Sequence, residues 1–263
     1  SASTGVLRLD GTNAAHAQLR SIADTLGDWI QFVEADQASD IAGTSLSRSA
    51  AYFPKSAVVS IPDLCKNLIC HPRIELIKGV LGHDLSLTTV IATGTTIPQR
   101  LALPPLEITT VPGQIDCFST SPKLARLRTT VVDDGYVIPS SPSILTSGST
   151  YEHDRWDPSY GTRTNRTRLG KLFGHALFRW VQRYRGWRCV TSDRIPIIGQ
   201  AADDLWLSLG YGSSATTSAL LAAETIASGI VGEFPPLDTH TLDVTDPMRF
   251  ADRQKRRPNP FTK

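Results

Sequence analysis

Chemistry in this chain gathers where glycine, serine and arginine flank short apolar runs. Residues 205–209, Leu-Trp-Leu-Ser-Leu, are followed by the small-residue loop Gly210-Tyr211-Gly212-Ser213-Ser214, which opens directly into a helical stretch over 216–227. A strand, a small-residue loop and a helix in that order aim backbone N–H groups and the positive end of a helix at whatever lies above the loop. That is an anion or cofactor cradle, with Gly212 and Ser213 at its lip. Gly94 and Gly199 each close a short apolar or β-branched run, where a glycine lets a flat ring or phosphate approach, although turn geometry alone also favours glycine there. Upstream, Arg188 stands alone in Gly186-Trp187-Arg188-Cys189, and Tyr136, in Asp134-Gly135-Tyr136, offers a phenol that can bond an amine or a carboxylate.

A second group is recognised by charge. The net charge of +2 hides nine Lys or Arg between Arg155 and Arg188 against the single acid Asp157, and the tail adds six more, from Arg249 to Lys263, against Asp252. A local field of one sign attracts polyanions whatever the total charge. Arg163, Arg166, Arg168, Lys171, Arg179, Arg183 and Arg185 are therefore the candidate nucleic-acid contacts, the alternative being a solvated face paired with acids from elsewhere.

The elements that must position these residues follow from periodicity. Strands are expected at 4–9, 30–33 and 205–209, and helices at 14–26 (capped by Asn13), 36–41 (stopped at Gly43) and 62–68 (proline in its first turn). Residues 88–93, Thr-Thr-Val-Ile-Ala-Thr, read as a buried central strand. From 107 to 150 the chain turns to short alternating runs at 108–111, 115–118, 126–132, 136–139 and 144–147, separated by Pro, Gly and Ser: an antiparallel sheet on which a substrate can be held. Residues 169–184 read as a helix with Leu172, Ala176, Leu177, Trp180 and Val181 on its core face.

The 263 residues, 40% apolar and 20% charged, suit one large or two modest globular domains. Neither a long apolar run nor a basic-then-apolar leader is seen, so a cytoplasmic protein without a membrane segment is expected. Cys65, Cys70, Cys117 and Cys189 fit no zinc spacing and read as small buried residues, and the six histidines form no ligand pattern, so no metal is expected. Neither a G-x-S-x-G elbow nor a P-loop is present.

The pattern G-x-R-C-x-T-x-D-x-x-P-x-x-G over 186–199, with L-G-x-G-S over 209–213 and A-A-E-x-I-A-S over 222–228, resembles the D-amino-acid-oxidase-like flavoproteins. Within them it is most similar to the oxidoreductase domain of MnmC-type tRNA wobble-uridine modification enzymes. Val111-Pro112-Gly113-Gln114-Ile115, Thr120-Ser121-Pro122-Lys123-Leu124, the 134–139 run and Asp246-Pro247-Met248-Arg249-Phe250 extend the resemblance to most of the chain. It implies a mixed α/β fold with a discontinuous FAD-type domain, 1–106 with 186–250, an inserted, largely antiparallel substrate domain at 107–185, and a basic tail at 251–263. It further implies FAD as cofactor, tRNA as partner, a fused or separate methyltransferase domain, Arg188 holding a substrate carboxylate through its guanidinium fork, and Gln114, which follows a glycine as in the family, as a further catalytic candidate with Tyr136.

The family's G-x-G-x-x-G turn for the ADP part of FAD has no counterpart here, which makes the flavin-type domain an incomplete one. The loop that usually reads G-S-R-G is Gly212-Ser213-Ser214-Ala215, the G-G-W-x-x-P segment appears as 56–62, and the stretch between Leu76 and Thr88 is shorter than the family's. Two readings follow: an FAD-dependent oxidase domain converting the carboxymethylaminomethyl group of a wobble uridine to aminomethyl, and a degenerate, flavin-free scaffold that binds tRNA or a protein without catalysis.

Overall fold

The computed structural model describes residues 4–9, 13–79, 87–97, 101–121, 126–153, 156–174 and 177–256, with side chains from residue 17 onward in the first helix. Pro122-Lys123-Leu124, Arg155, His83, His175, the capping and histidine side chains of Asn13 and His16, and the tail from Arg257 to Lys263 lie outside the described residues.

The chain forms two compact units, Ser1–His71 with Pro112–Gly186 and Pro72–Val111 with Trp187–Lys263. This partition differs from the one that the resemblance implies, 1–106 with 186–250. The reason lies in strand pairing. In the first unit β1 (Val6–Leu9) pairs antiparallel with β3 (Ala50–Phe53) and parallel with β6 (Thr130–Asp133), so the N-terminal strands enter the sheet of the middle segment. With β2 (Gln31–Val33), β7 (Gly135–Ser141), β8 (Ile144–Gly148), β5 (Ile108–Ser119) and β9 (Arg179–Thr191), the order is β2-β3-β1-β6-β7-β8-β5-β9. The pairings of β6, β7, β8 and β5 are antiparallel, as the period-2 reading of 107–150 expects, and the runs at 108–111 and 115–118 fuse into one strand.

The core of this unit comes from alternate strand positions, Leu7, Leu9, Val131, Val137, Leu145 and Phe118, closed by Ala38 and Ala42 of α2 (Ala35–Ala42) and Leu169 of α4 (Pro158–Phe173). Helix α2 begins with a reciprocal Glu34–Gln37 capping box and stops at Gly43 in the left-handed conformation. Helices α1 (Asn13–Thr25) and α3 (Ile61–Ile69) lie where the sequence puts them, but α3 buries none of its residues, and Cys65 and Cys70 are exposed, unlike the buried Cys117 and Cys189.

The expected helix over 169–184 is corrected. The helix ends at Phe173, Gly174 follows with φ +69°, and the arginines from Arg179 onward lie on strand β9. Asp157 caps α4 by accepting the Ser159 N–H at 2.8 Å, and Pro158 opens it. Its buried face is Gly161, Asn165 and Leu169, spaced by four, so the apolar stripe that sequence reading looks for is absent. The dense Trp, Tyr, Val and Thr content after 179 is that of a strand.

In the second unit β10 (Ile197–Ala202), β11 (Leu205–Leu209) and β4 (Thr89–Ile91) form a three-stranded sheet, with β11 antiparallel to β10 and parallel to β4. The expectation that 88–93 and 205–209 share a sheet holds, but β4 lies at its edge among the described residues, with Val90 41% exposed. One face packs Ile91, Ile197, Leu207 and Leu209 on Phe250 of α7 (Arg249–Arg256), which follows α6 (Thr239–Thr245). Ile198 and Trp206 on the other face meet Ala222 and Ile226 of α5 (Ala215–Val231).

Gly161 tests how α4 is seated. A Cβ there would stand 2.7–2.9 Å from the amide end of the buried Gln114. Alanine gains about 1 kcal/mol in helix propensity but forces a bonded side chain to move, at about 1–3 kcal/mol. Gly161→Ala is expected to lower the urea-unfolding free energy by about 1 kcal/mol; unchanged or increased stability contradicts this seating.

Candidate functional site

The parallel pairing of β4 and β11 sets the site's frame. Leu205 lies opposite Thr89 and Leu207 opposite Ile91, so the turns after both strands, with Gly94 and Gly210-Tyr211-Gly212, leave the same end of the sheet. The carboxyl end of adjacent parallel strands is where open α/β sheets take ligands. Gly94 has φ +65° and nothing within 4 Å of where a Cβ would stand; Gly212 has φ +57° with only Val190 Cγ2, at 3.8 Å. Both conformations disfavour a side chain, and both leave open space above the backbone.

Arg188 reaches this end through the backbone. Its neighbour Cys189 accepts the Gly212 N–H at 2.8 Å, and Val190 bridges Tyr211, so the end of β9 is fastened to the glycine loop. Arg188 is half-buried and Ser213 exposed. Ser214 turns its hydroxyl to Tyr211 O at 2.8 Å and does not cap α5, which leaves the first amides of the helix to other acceptors. Burial pushes the Cys189 thiol up, with the Gly210 backbone bond acting against it. Burial likewise pushes up the Tyr211 phenol, opposed by its 2.7 Å bond with Ser208.

Gly199 does not belong here. It sits in mid-strand opposite Leu207, and a Cβ would stand 3.0 Å from Pro247 Cδ, so this glycine makes room for the turn into α7.

Two catalytic candidates lie in the first unit. Tyr136 is half-buried on β7 between Val132 and Gly148. Gln114 is 1% exposed, and its amide nitrogen donates to Asp116 Oδ2 at 2.8 Å, Thr162 Oγ1 at 3.0 Å and Pro158 O at 3.1 Å. These bonds of the amide nitrogen hold α4 to the sheet, while the buried Gln114 Oε1 has no hydrogen-bond partner among the described residues.

Asp116 is the centre of that network. It is fully buried, and its oxygens also accept the Thr162 hydroxyl at 2.8 Å, the Asn165 amide at 2.8 Å and the Trp180 indole N–H at 3.1 Å. No motif marked this residue.

The basic candidates separate by burial. Arg163 and Lys171 are 69% and 62% exposed, with distant acidic partners at 4.0 Å (Asp157) and 3.9 Å (Asp134). Arg166 and Arg179 are exposed, and Arg183 lies 4.7 Å over the Trp180 ring. Arg168 turns inward, donating to Ser149 O at 3.1 Å and Asn165 Oδ1 at 3.0 Å. Arg185, 16% exposed, is stacked 3.4 Å from the Trp156 ring and 3.7 Å from the buried Glu152. Arg168 and Arg185 are thus engaged inside the protein, unlike the exposed Arg163, Arg166, Lys171 and Arg179.

The structure also joins two sequence motifs. Asp193, within the 186–199 pattern, accepts Arg249 Nε at 3.0 Å and Arg253 Nη2 at 2.8 Å, and Arg249 reaches back to Ile195 O at 2.7 Å. Arg253 also bonds Glu107 at 3.3 Å, and Ser192 donates to the same carboxylate. The D-P-M-R-F ending is thus the ionic partner of the T-x-D-x-x-P turn. Among the described residues no group of three or more His, Cys, Asp or Glu could hold a metal ion.

Residues 2–228 match the protein family described as FAD dependent oxidoreductase, DAO. The tRNA 5-methylaminomethyl-2-thiouridine biosynthesis bifunctional protein MnmC of Idiomarina loihiensis is 28% identical over 257 residues, 87% of this chain and 42% of that protein. The protein of the same name from Burkholderia mallei is 34% identical over 157 residues, 48% of this chain and 24% of its own length. The chain thus spans less than half the length of the curated relatives it matches. Among solved structures, glycine oxidase from Geobacillus kaustophilus superposes with TM-score 0.77 at 22% identity, covering 94% of this chain and 75% of that one. L-proline dehydrogenase from P. horikoshii gives 0.74 at 15%, covering 96% and 78%. At these identities the likeness establishes the fold.

The Asp193 cluster carries a pH signature. Burial alone would raise this carboxyl, but the Arg249 bonds, the Ile195 N–H and Arg253 together hold it well below the usual carboxylate range. A depressed folded value contributes stability above the unfolded carboxyl's value of about 4, and that contribution is lost as pH falls below it. Asp193→Asn is expected to cost about 2 kcal/mol near neutral pH, with the gap to wild type closing in acid. Urea titrations at both pH values check this; a gap that widens in acid contradicts the assignment.

Proposed function

The chain belongs to the family of FAD-dependent oxidoreductases described as DAO, and on that premise we propose that it oxidises the carboxymethylaminomethyl group of a tRNA wobble uridine, leaving an aminomethyl group. The observation that carries the reading is the gathering of Arg188, Gly94, Gly212 and Ser213 at the carboxyl end of the parallel β4–β11 pair. The likeness to MnmC proteins over most of the chain supplies the substrate.

The donor set fits the flavin ring end of FAD. Gly94 and Gly212 leave open the space a Cβ would fill, and the Ser213 amide and the head of α5 would offer N–H groups to the cofactor. When bound there, the flavin accepts the two electrons removed from the substrate's C–H and N–H. The remaining steps are the chain's own work or water's. Arg188 grips the substrate carboxylate with its planar fork, which fixes the adjacent carbon, and orientation of this kind is the protein's main contribution. Water then adds to the oxidised C=N bond, and the two-carbon acid leaves as an aldehyde while the nitrogen stays on the uridine as a primary amine. The exposed Arg163, Arg166, Lys171 and Arg179, with the half-buried Arg183, would meet the phosphates of the RNA. A fused or separate methyltransferase domain would supply the following step.

Purified chain titrated with FAD should quench flavin fluorescence, and Gly212→Val should weaken uptake by filling the open space. Arg188→Ala should keep flavin uptake and lower kcat/KM on the modified RNA roughly 100-fold or more, since two hydrogen bonds to charged groups contribute about 1.5–3 kcal/mol each. Failure to take up FAD, or full activity in the Arg188 variant, removes the oxidase reading.

RNA binding should fall with salt along a log–log line whose slope loses about 0.7–0.9 for each phosphate contact removed. Arg179→Glu with Arg183→Glu is the variant to measure. Affinity flat in salt sinks the phosphate contacts.

A further inference from the structure

We propose that Trp180, Arg183 and Tyr184 on β9 form a stacking platform for unpaired bases, so that the RNA is held by its single-stranded part; this rests on the tRNA reading above. Strand β9 is the last in its sheet order, and over 179–185 it reads Arg-Trp-Val-Gln-Arg-Tyr-Arg without an acid. Trp180 is 42% exposed and Tyr184 55%. Large rings left this open on a strand mark a surface that takes a ligand.

The way Trp180 is held strengthens the case. Its indole N–H donates to Asp116 Oδ1 at 3.1 Å, and Asp116 is fully buried with three further donors, so the ring's polar edge is anchored while much of the ring faces water. The Arg183 guanidinium lies 4.7 Å from the ring centroid, and Gln182 donates to the Tyr184 hydroxyl at 2.8 Å. A guanidinium plane and an aromatic ring each stack on the face of any base, and the same cation meets the attached phosphate. Thr162 shares Asp116 Oδ1 with Trp180, so the clamp also ties β9 to α4, which carries Arg163, Arg166 and Lys171.

Two other occupants fit less well. Antiparallel pairing of β9 with a second copy, centred on Gln182, would set Arg179 against Arg185 at both ends of the 179–185 segment, and like charges directly opposite destabilise a sheet. In duplex RNA the base faces are already stacked on one another, and only phosphates, sugars and groove edges remain to be met. The chemistry selects a polyanion with splayed bases.

The test uses fluorescence anisotropy with the full chain and two labelled RNAs of equal nucleotide number, a hairpin with an unpaired loop and a blunt duplex. Wild type is expected to bind the hairpin more tightly. Tyr184→Leu, and separately Trp180→Leu, should weaken hairpin binding roughly fivefold to a hundredfold, the range for losing one stacked base, with less than a twofold change for the duplex and an unchanged salt slope. Tyr184→Phe keeps a ring and should retain most hairpin affinity, which separates stacking from a folding defect in the Tyr184 leucine variant; Trp180→Leu also removes the indole donor to Asp116, so its duplex affinity is the control for a folding defect. Wild-type hairpin affinity in both leucine variants, or equal loss on hairpin and duplex, overturns the platform and leaves the tRNA reading standing. Absence of binding to either RNA by wild type overturns both.

Discussion

A carboxyl group sealed from water with four uncharged donors decides how the first unit is put together. Desolvating Asp116 would cost several kcal/mol if its oxygens went unmet, so the group is tolerable only with its bonding shell complete. Gln114 and Thr162, Asn165 and Trp180 complete it from a strand, a helix and a second strand. Each is thereby fixed in direction as well as in contact. The helix can be polar nearly all round because hydrogen bonds, and not an apolar stripe, seat it, and a glycine is needed where its backbone passes the Gln114 amide.

The second unit solves the corresponding problem with ions. Asp193 meets two arginines from α7, and those arginines extend the cluster to Glu107 and to the Ile195 carbonyl. An ion pair tolerates more water than an uncharged network, and this one sits at the start of β10, the same end from which the Gly94 and Gly212 turns emerge. The turn that leads into β10 is thus pinned electrostatically, while the glycine turns beside it have their backbone space left open.

How much of this could be read from the residues depends on what carries each element. Strands β1, β7, β8 and β11 were legible because alternation is the physics of a half-buried strand, α2 because glycine stops it, and α5 because a small-residue loop opens into it. Helix α4 was not, since its inward face is Gly161, Asn165 and Leu169 and its partner Asp116 is 49 residues from Asn165. The residues beyond it carried an accidental helical spacing, Leu172 to Val181, that ran across Gly174. Gly94 and Gly212 were singled out by their place after apolar strands and have open backbone space, whereas Gly199 satisfied the same rule while packing on Pro247. Charge counting found the basic stretch but could not tell Lys171, in water, from Arg185, stacked on Trp156.

Helix α5 has one ionisable residue, Glu224, in seventeen, and Leu220, Leu221, Ile230 and Val231 on it are 57%, 45%, 41% and 66% exposed. Its sheet ends in the short edge strand β4 with Val90 in water, and Phe234 just beyond the helix is fully exposed. Oily ground of this extent, next to unpaired strand backbone, governs colloidal behaviour. Net charge near zero gives little mutual repulsion to oppose it. The exposed apolar side of α5 thus bears on the working concentration and salt tolerance of a preparation of this chain, while the head of the same helix faces the glycine loop.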